Sequence, residues 1–190
     1  MNIGIIGTAG RGDSVLTNEV YQKAGKQFLN IIKAKAQFEG EITLISGGAA
    51  GIDFLAVSIF LRQKSFKLRL HLPAMFNEEL KRFEGGTSIF DPANICNYYH
   101  KEFSKVIGRN SLCEMASAIE SGAYYSVSKG FKERNTKVAE ESDVLLAATF
   151  GDGPNLKRGG TFDTWEKFVK AKPHNQKFHL DLNTNQLYTL

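Results

Sequence analysis

Apolar residues along the chain follow two alternating spacings, and together they predict a parallel α/β sheet. Residues 2–6 and 42–45 are short, β-branched apolar runs, which are typical of fully buried strands. Each run is followed by a glycine-rich turn and then by apolar residues three and four positions apart, the spacing of one helix face. A strand, a glycine turn and a helix therefore occur twice in the first third of the chain. This cadence predicts an α/β fold with a Rossmann-like, doubly wound parallel sheet.

Later segments add strands to the predicted sheet. Residues 67–73 alternate polar and apolar side chains before a proline, which predicts a strand at a sheet edge with one face in water. His71, a polar residue of that strand, is interpreted as a surface residue rather than a catalyst. Residues 122–128 predict another short strand, and residues 143–149 predict a strongly buried strand after a polar helix at 131–142.

The last part of the chain predicts a helix and a terminal β-hairpin. A third glycine-rich loop, at 150–161, follows the buried strand. Thr161 is predicted to cap the next helix, because threonine is a favoured N-cap residue. Residues 177–182 and 186–190 flank Asn183-Thr-Asn185, which predicts two strands joined by a tight turn.

Residues 74–130 form a far longer connection than a sheet of this kind needs. They predict a helical stretch from about 95 to 119, with a break at Gly108. His100 and Ser104 stand four residues apart and could form a hydrogen-bonded pair on one helix face. Without a located acid, we interpret them as the polar face of a lid helix rather than as a catalytic pair. Long insertions over a ligand-binding edge often act as lids or dimer surfaces.

Composition narrows the class of protein. The 190 residues suit a single domain, residues 1–190, and a net charge of +4 with a pI near 9.0 permits a phosphate-bearing partner without requiring one. Cys96 and Cys113 are too few and too far apart for a disulfide framework or a four-ligand zinc site, so no metal is predicted. No leader pattern is present and no apolar run approaches the roughly 18 residues of a membrane span, so we expect a cytoplasmic protein without a membrane partner.

The three glycine-rich loops predict one binding site. The loops at 7–13, 46–53 and 151–161 follow predicted strands, and in right-handed crossovers such loops meet at the carboxyl edge of the sheet, where ligands bind. A glycine turn before a helix leaves unpaired N–H groups at the positive end of the helix dipole, which favours an anion. Arg11 and Asp13 in the first loop are interpreted as ligand contacts rather than as a solvated pair. The alternative for the second loop is that its glycines only allow the strand and helix to pack closely.

The glycine spacings narrow the ligand class. Glycines stand at 7, 10 and 12 and at 47, 48 and 51, so neither loop is G-x-G-x-x-G, and the second strand ends in Ser46 rather than in a ribose-binding acid. A nicotinamide cofactor is therefore disfavoured, and we predict no cofactor. No G-x-x-x-x-G-K-[ST] loop exists, which excludes triphosphate hydrolysis by that route. The three loops suit a monophosphate or phosphoribosyl group with a base, with Arg134 nearby if its helix starts at the same edge.

Three motifs resemble a known superfamily. Ser46-Gly-Gly-Ala-Ala-Gly-Ile-Asp53 closely resembles the Ser-Gly-Gly-Ala-x-Gly-Ile-Asp turn of the DprA/Smf DNA-processing proteins. Phe131-Lys-Glu-Arg-Asn135 resembles the Arg-Asn or Glu-Arg-Lys helix that those proteins share with the "Lonely Guy" nucleoside-monophosphate phosphoribohydrolases. Arg158-Gly-Gly-Thr-Phe-Asp-Thr164 resembles the Pro-Gly-Gly-x-Gly-Thr loop of the hydrolases. The resemblance to this superfamily, SLOG, covers most of the chain outside residues 74–130.

The resemblance implies a protein that recognises a nucleoside monophosphate or a ribosyl phosphate and either cleaves its N-glycosidic bond or only binds it. Arg134 carries over directly as a catalytic residue. The catalytic Glu of the hydrolases falls at Lys167, one residue beyond Glu166, and one residue turns a helical side chain by about 100°. The acid role is therefore predicted for Asp163 or Glu166 from a shifted turn, because base–ribose cleavage needs a carboxylate near the departing bond.

The remaining site residues are predicted to bind the ligand. Glycine-loop amides and Arg11, Arg134 or Arg158 would hold phosphate, and Asp53 and Asp163 would contact ribose or orient the loop. The alternative role of Asp53 is a helix-start charge that interacts with the dipole. The predicted ligand-binding residues are Gly7, Thr8, Gly10, Arg11, Ser46, Gly47, Gly48, Gly51, Asp53, Gly159, Gly160 and Thr161.

Two other functions remain open on the sequence. A DprA-like single-stranded DNA binder without catalysis is supported by the basic pI and by tyrosines that could stack bases, namely Tyr98, Tyr99, Tyr124 and Tyr125. The DNA-binding hypothesis is weakened because a net charge of +4 is modest and the lysines form no dense stripe. The other possibility is an oligomeric scaffold with a vestigial pocket. A homodimer, and so a homo-oligomeric partner, is expected from the resemblance.

Overall fold

A computed structural model describes residues 1–10 and 14–190, and within these residues the centre of the fold is a seven-stranded sheet. Its strands are β1 (Asn2–Gly7), β2 (Thr43–Ser46), β3 (Lys67–Leu72), β6 (Tyr124–Val127), β7 (Val144–Thr149), β8 (Lys177–Asp181) and β9 (Gln186–Thr189). The order across the sheet is β6-β3-β2-β1-β7-β8-β9, and every neighbouring pair is parallel except β8 and β9. The predicted mostly parallel α/β sheet with a C-terminal hairpin is confirmed.

Six α-helices cover the sheet within the described residues. They are α1 (Asn18–Glu39), α2 (Leu55–Arg62), α3 (Pro92–Ile107), α4 (Ser111–Glu120), α5 (Phe131–Glu141) and α6 (Gly160–Ala171). The strand order runs outward from β1 to β6 and then jumps back to β7. Right-handed crossovers therefore place α1 to α4 on one face and α5 and α6 on the other, which is the doubly wound arrangement.

The two faces of the sheet have cores of unequal size. On the α1–α4 face, the alternate strand residues Ile3, Leu44 and Leu70 pack with helix residues such as Phe28 and Phe54 into the larger cluster. On the α5–α6 face, a smaller cluster contains Ile6, Ile45, Val138, Ala139, Leu145, Ala147, Trp165 and Phe168. Buried strands with apolar side chains on both faces explain why the sequence showed continuous apolar runs rather than alternation.

The prediction that β3 lies at a sheet edge with one wet face is wrong, because β6 pairs alongside it. His71 is not a surface residue: it is 2% exposed, with Nδ1 at 2.8 Å from Ser126 Oγ and Nε2 at 3.1 Å from Glu141 Oε2. Arg69 donates to the same Glu141 oxygen at 3.0 Å. The polar alternation of β3 therefore reflects a face that packs against a carboxylate of α5. Burial lowers the pKa of His71 although Glu141 acts against the shift.

The insertion after β3 contains the predicted helices and one small additional sheet. Gly108 ends α3 in the left-handed conformation (φ 67°), which confirms the predicted break before α4. Asp91 caps α3 by accepting from the Ala93 amide at 2.9 Å. An antiparallel pair that the sequence did not predict, β4 (Phe76–Asn77) and β5 (Arg82–Phe83), precedes this helix.

The C-terminal hairpin lies at the far end of the sheet from β6. Its turn is held by Asp181, which accepts from the Asn183 amide at 2.9 Å and from the Thr184 hydroxyl at 3.0 Å. Asn185 takes a positive φ of 59°, a conformation that asparagine tolerates better than most residues. Among the helices of the described residues, none combines the length and apolar character needed to cross a membrane.

Candidate functional site

A cleft of about 500 Å³ opens at the carboxyl edge of the sheet, between the ends of β1 and β7. These two strands are neighbours from which the chain winds in opposite directions, and open α/β sheets bind ligands at this switch point. The walls come from the loops after β1, β2 and β7, from the first turns of α5 and α6, and from α3. The predicted convergence of the glycine loops at one edge therefore occurs.

The start of α6 forms one end of the cleft. Gly159 is its N-cap with a φ of 148°, and no side chain of the described residues caps the helix. Gly160, Thr161 and Thr164 of this helix line the cleft. The prediction that Thr161 caps this helix is wrong, since the helix begins at Gly160. Unpaired amides and the helix dipole make such a terminus favourable for an anion. Lys157 and Arg158, which also line the cleft, add positive charge beside it.

Arg134 and Asp53 form a buried ion pair at the base of the cleft. Arg134 comes from the first turn of α5, and its Nη1 lies 3.5 Å from Asp53 Oδ2. Asp53 Oδ1 accepts from the Gly7 amide at 2.7 Å, which links the end of β1 to the turn after β2. Burial raises the pKa of Asp53 to about 6, although Arg134 and the Gly7 amide favour the ionised carboxylate.

The glycines of the second turn support the cleft without lining it. A Cβ at Gly47 would overlap the Arg134 guanidinium, and one at Gly51 would overlap the backbone of Thr8 and Ala9. Gly48 and Gly51 also have positive φ values of 61° and 91°. These glycines thus allow Arg134 and the loop after β1 to approach the second turn closely.

Ser46 and two alanines complete the second turn. The buried Ser46 hydroxyl donates to the Asp53 carbonyl at 2.9 Å and accepts from the Gly48 amide at 3.3 Å. Ala49 and Ala50, rather than the glycines, line the cleft beside Asp53. The Ser46 hydroxyl therefore stabilises the turn on the side away from the cleft. The small side chains of Ala49 and Ala50 leave space on the cleft side.

The first loop reaches the cleft through its opening residues. Gly7 and Thr8 line the cleft, and the Thr8 hydroxyl accepts from the Gly10 amide at 3.0 Å. Gly10 takes a positive φ of 72°. The predicted contacts Arg11 and Asp13 lie outside the described residues.

The two carboxylates predicted as catalytic acids do not line the cleft. Asp163 accepts from Asn135 Nδ2 at 2.8 Å and from Lys167 Nζ at 2.7 Å. Burial opposes its ionisation, but these hydrogen bonds outweigh burial and lower the pKa of Asp163. Glu166 is exposed on α6, next to the buried Trp165. Of the three predicted catalytic residues, the structure brings Arg134 into the cleft.

An apolar wall also lines the cleft, and sequence reasoning did not assign it to the site. Ile95, Cys96 and Tyr99 of α3 line it, together with Phe131 and Phe150. The Arg134 guanidinium lies over the Phe131 ring at 5.6 Å from its centroid. Helical spacing of Ile95 and Tyr99 in the insertion was the available signal, but the same spacing marks any core-facing helix.

His100 and Ser104 do not form a side-chain pair, and the interpretation of His100 as part of a polar helix face is wrong because His100 is buried. His100 is fully buried, and its Nε2 lies 3.0 Å from the Gly48 carbonyl, which can only accept, so Nε2 carries the proton. Nδ1 then accepts from Ser111 Oγ at 2.9 Å, and Ser104 Oγ donates to the His100 carbonyl at 2.7 Å. Burial lowers the pKa of His100 to about 4. The cluster ties the insertion to the second glycine turn.

Comparisons with known proteins give one informative relative. No family model matches the chain. The chain is 34% identical over 189 residues to "Uncharacterized protein R261" of Acanthamoeba polyphaga mimivirus, and the alignment covers 96% of this chain and 97% of that protein. The shared region therefore includes the cleft and the insertion.

Proposed function

We infer that this chain, which belongs to the family of the mimivirus protein R261, binds a nucleotide, most simply a nucleoside monophosphate or a related ribosyl phosphate. The name of that relative states no activity, so the proposal is based on the cleft. The observation that carries the proposal is one cleft that is lined both by an anion-favouring helix start and by aromatic side chains. The motif resemblance to the SLOG superfamily supports the same ligand class.

The charged end suits the phosphate. The Gly160 and Thr161 amides open α6, and Lys157 and Arg158 lie beside them, so a phosphate there would meet backbone donors, hydroxyls and cations together. Arg134 lies deeper and is 10% exposed. A site with both exposed and buried cations can attract an anion and then hold it in a defined position.

The aromatic wall suits the base. Tyr99, Phe131 and Phe150 present ring surface to the same cleft, and Ile95 adds an aliphatic contact. Planar bases gain about 1–3 kcal/mol from stacking on aromatic side chains. A volume of about 500 Å³ also falls within the range of sites for small molecules of this size.

Binding fits the geometry better than N-glycosidic cleavage by the predicted acids. Asp163 is held by Lys167 and Asn135, and Glu166 faces solvent. Among the described residues that line the cleft, Asp53 is the carboxylate, and it already accepts from Gly7 and pairs with Arg134. We therefore propose that the protein recognises its ligand, as a sensor or carrier of the nucleotide.

Single-stranded DNA binding is the weaker alternative. Tyr124 begins β6 at the amino edge of the parallel sheet, whereas Tyr99 lines the cleft at the carboxyl edge. The Tyr125 hydroxyl lies 3.5 Å from Glu78 Oε1. The tyrosines that suggested a stacking platform thus lie at separate places on the fold.

Thermal unfolding with AMP, GMP, CMP, UMP and a short single-stranded DNA, each at low and high salt, tests the proposal. A ligand at a hundred times its Kd should stabilise the protein by about 2.7 kcal/mol, a rise in Tm of about 5–10 °C for a chain of this size. We expect such a rise with at least one mononucleotide and its persistence at high salt. A rise with DNA alone that disappears at high salt would instead establish a polyanion surface, because counterion release dominates such binding.

Matched variants locate the binding site. Lys157→Gln and Arg158→Gln should each weaken mononucleotide binding by roughly tenfold, since each removes a charge-assisted phosphate contact. Lys170→Gln removes the same charge from the last turn of the same helix, where the side chain is exposed, and should leave Kd unchanged. Equal effects at both ends of α6 would contradict the placement of the phosphate.

A further inference from the structure

The ion pair between Asp53 and Arg134 is loose although both groups are buried. Their closest atoms are 3.5 Å apart, and each side chain is 10% exposed. Arg134 Nε has no hydrogen-bond partner among the described residues. The 3.5 Å separation from Asp53 thus leaves the guanidinium incompletely paired, and the Arg134 side chain lines the cleft where the ligand anion would enter.

Within residues 1–10 and 14–190, Arg134 is the charged group that acts on the Asp53 carboxylate. Asp53 lies in a single 3₁₀ turn, Ile52–Phe54, and faces the Gly7 amide of β1 on one side and Arg134 of α5 on the other. Cys96 of α3 also lines the cleft near Arg134, and burial raises the pKa of its thiol to about 12, so the thiol is neutral. Burial also raises the pKa of Asp53 to about 6, which places its titration close to neutral pH.

We infer that Asp53 is a positioning residue that holds Arg134 ready for the ligand's anionic group and takes up a proton when that group replaces it on the guanidinium. The inference rests on the proposed function, since it needs an anion in the cleft. Before binding, the Asp53 carboxylate is compensated by Arg134 and the Gly7 amide. An entering phosphate competes for the same cation and brings further negative charge into a region of low dielectric constant.

The exchange has a definite chemical balance. Arg134 keeps its positive charge, the ligand anion becomes its partner, and one proton from solvent binds to Asp53 Oδ2. Oδ1 continues to accept from the Gly7 amide, so the loop after β1 keeps its position. Because the bound state holds more protons than the free state, affinity must fall as the pH rises above the titration of Asp53.

Isothermal titration calorimetry of the whole protein tests this exchange. The probe is whichever of AMP, GMP, CMP and UMP gives the largest thermal shift, titrated at pH 7 in two buffers with different ionisation enthalpies. The difference in apparent enthalpy gives the number of protons taken up. Asp53→Asn is the matched variant, because its amide oxygen can still accept from Gly7, and the ligand's own titration contributes equally to both proteins.

We expect the wild type to take up a larger fraction of a proton than Asp53→Asn, and its Kd to rise more steeply between pH 6 and pH 8. A purely structural role for Asp53 would weaken binding in the variant and leave both the proton count and the pH slope unchanged. That result, or equal proton uptake by the two proteins, would overturn the inference and leave the proposed function standing. If none of the four mononucleotides binds, the proposed function falls and the exchange falls with it. Should the variant fail to fold, the wild-type proton count, corrected for the free ligand, decides alone.

Discussion

Arg134 owes its position in part to Gly47 and Ser46, which do not line the cleft. Its guanidinium occupies the space that a side chain at Gly47 would fill, and its partner Asp53 is fixed by Gly7 and by Ser46. A buried arginine tolerates little displacement, because its planar donors need their acceptors at defined directions. Residues behind the cleft should therefore matter for binding as much as residues that line it.

Gly47→Ala should weaken mononucleotide binding by at least tenfold. The new Cβ would overlap the Arg134 guanidinium, so the arginine must leave its site or the turn must shift. We also expect a loss of about 1–3 kcal/mol in the free energy of unfolding, the usual cost of overpacking a buried position. Calorimetry for Kd and urea unfolding for stability would measure the two effects.

Gly25→Ala on α1 is the control for that prediction. The added Cβ would meet only the end of the Leu55 side chain, at 2.9 Å, and alanine favours a helix over glycine by about 1 kcal/mol. Binding by this variant should equal that of the wild type. A parallel loss of affinity in both variants would show that global destabilisation, and not the place of Arg134, explains the effect.

Secondary-structure elements differ in how far the sequence could predict them. The strands β1, β2 and β7 and their glycine turns were predictable because short apolar runs and glycines carry local signals. The start of α6 was misplaced because Thr161 is a good capping residue, whereas the structure uses Gly159 with its unusual φ.

Contacts between distant segments left no local signal. His100 bonds to Gly48 across 52 residues, and β6 pairs with β3 only after the whole insertion has been crossed. The aromatic wall depends on the same long-range placement of α3. Sequence reasoning could thus predict which loops meet at the cleft but not what closes its apolar side.

The start of α3 offers a test at the scale of one element. Asp91 Oδ1 caps the helix through the Ala93 amide, and Oδ2 accepts from the Gly86 amide at 3.0 Å. Asp91→Ala removes both bonds and should lower the free energy of unfolding by about 1–2 kcal/mol in urea. Asp91→Asn retains a capping oxygen and should recover most of the loss. Equal losses for the two variants would argue against capping as the cause.

At the scale of the whole molecule, buried histidines and the buried Asp53 have opposite effects on how folding stability depends on pH. Burial lowers the pKa of His100 to about 4 from an unfolded value near 6.5, so its contribution is full above pH 6.5 and is lost as the pH falls toward 4. Burial also lowers the pKa of His71 and of His179, which act in the same direction. The raised pKa of Asp53 acts oppositely, because its contribution is full at low pH and is lost as the pH rises through about 6.

The net expectation is that stability falls on acidification from pH 6.5 to pH 4, with Asp53 offsetting part of the loss. His100 and Asp53 act in opposite directions over this range, and His71 and His179 add to the loss on acidification. Urea unfolding at several pH values should therefore show a steeper loss for Asp53→Asn and a shallower one for His100→Gln than for the wild type. Identical slopes in all three proteins would refute the assignment of these groups.

The unequal layers of the fold also determine which parts of it open first. Arg134 and the start of α6 both belong to the α5–α6 side, where a small cluster of buried side chains joins the helices to the sheet. Segments with less buried apolar contact exchange their amide protons through local opening at a lower cost than the core. The ligand would then bridge a rigid half, formed by β1 and the α1–α4 layer, and a half that detaches more readily. A ligand in the cleft should therefore hold the two halves together and slow amide exchange in α5 and α6 more than in the strands beneath them.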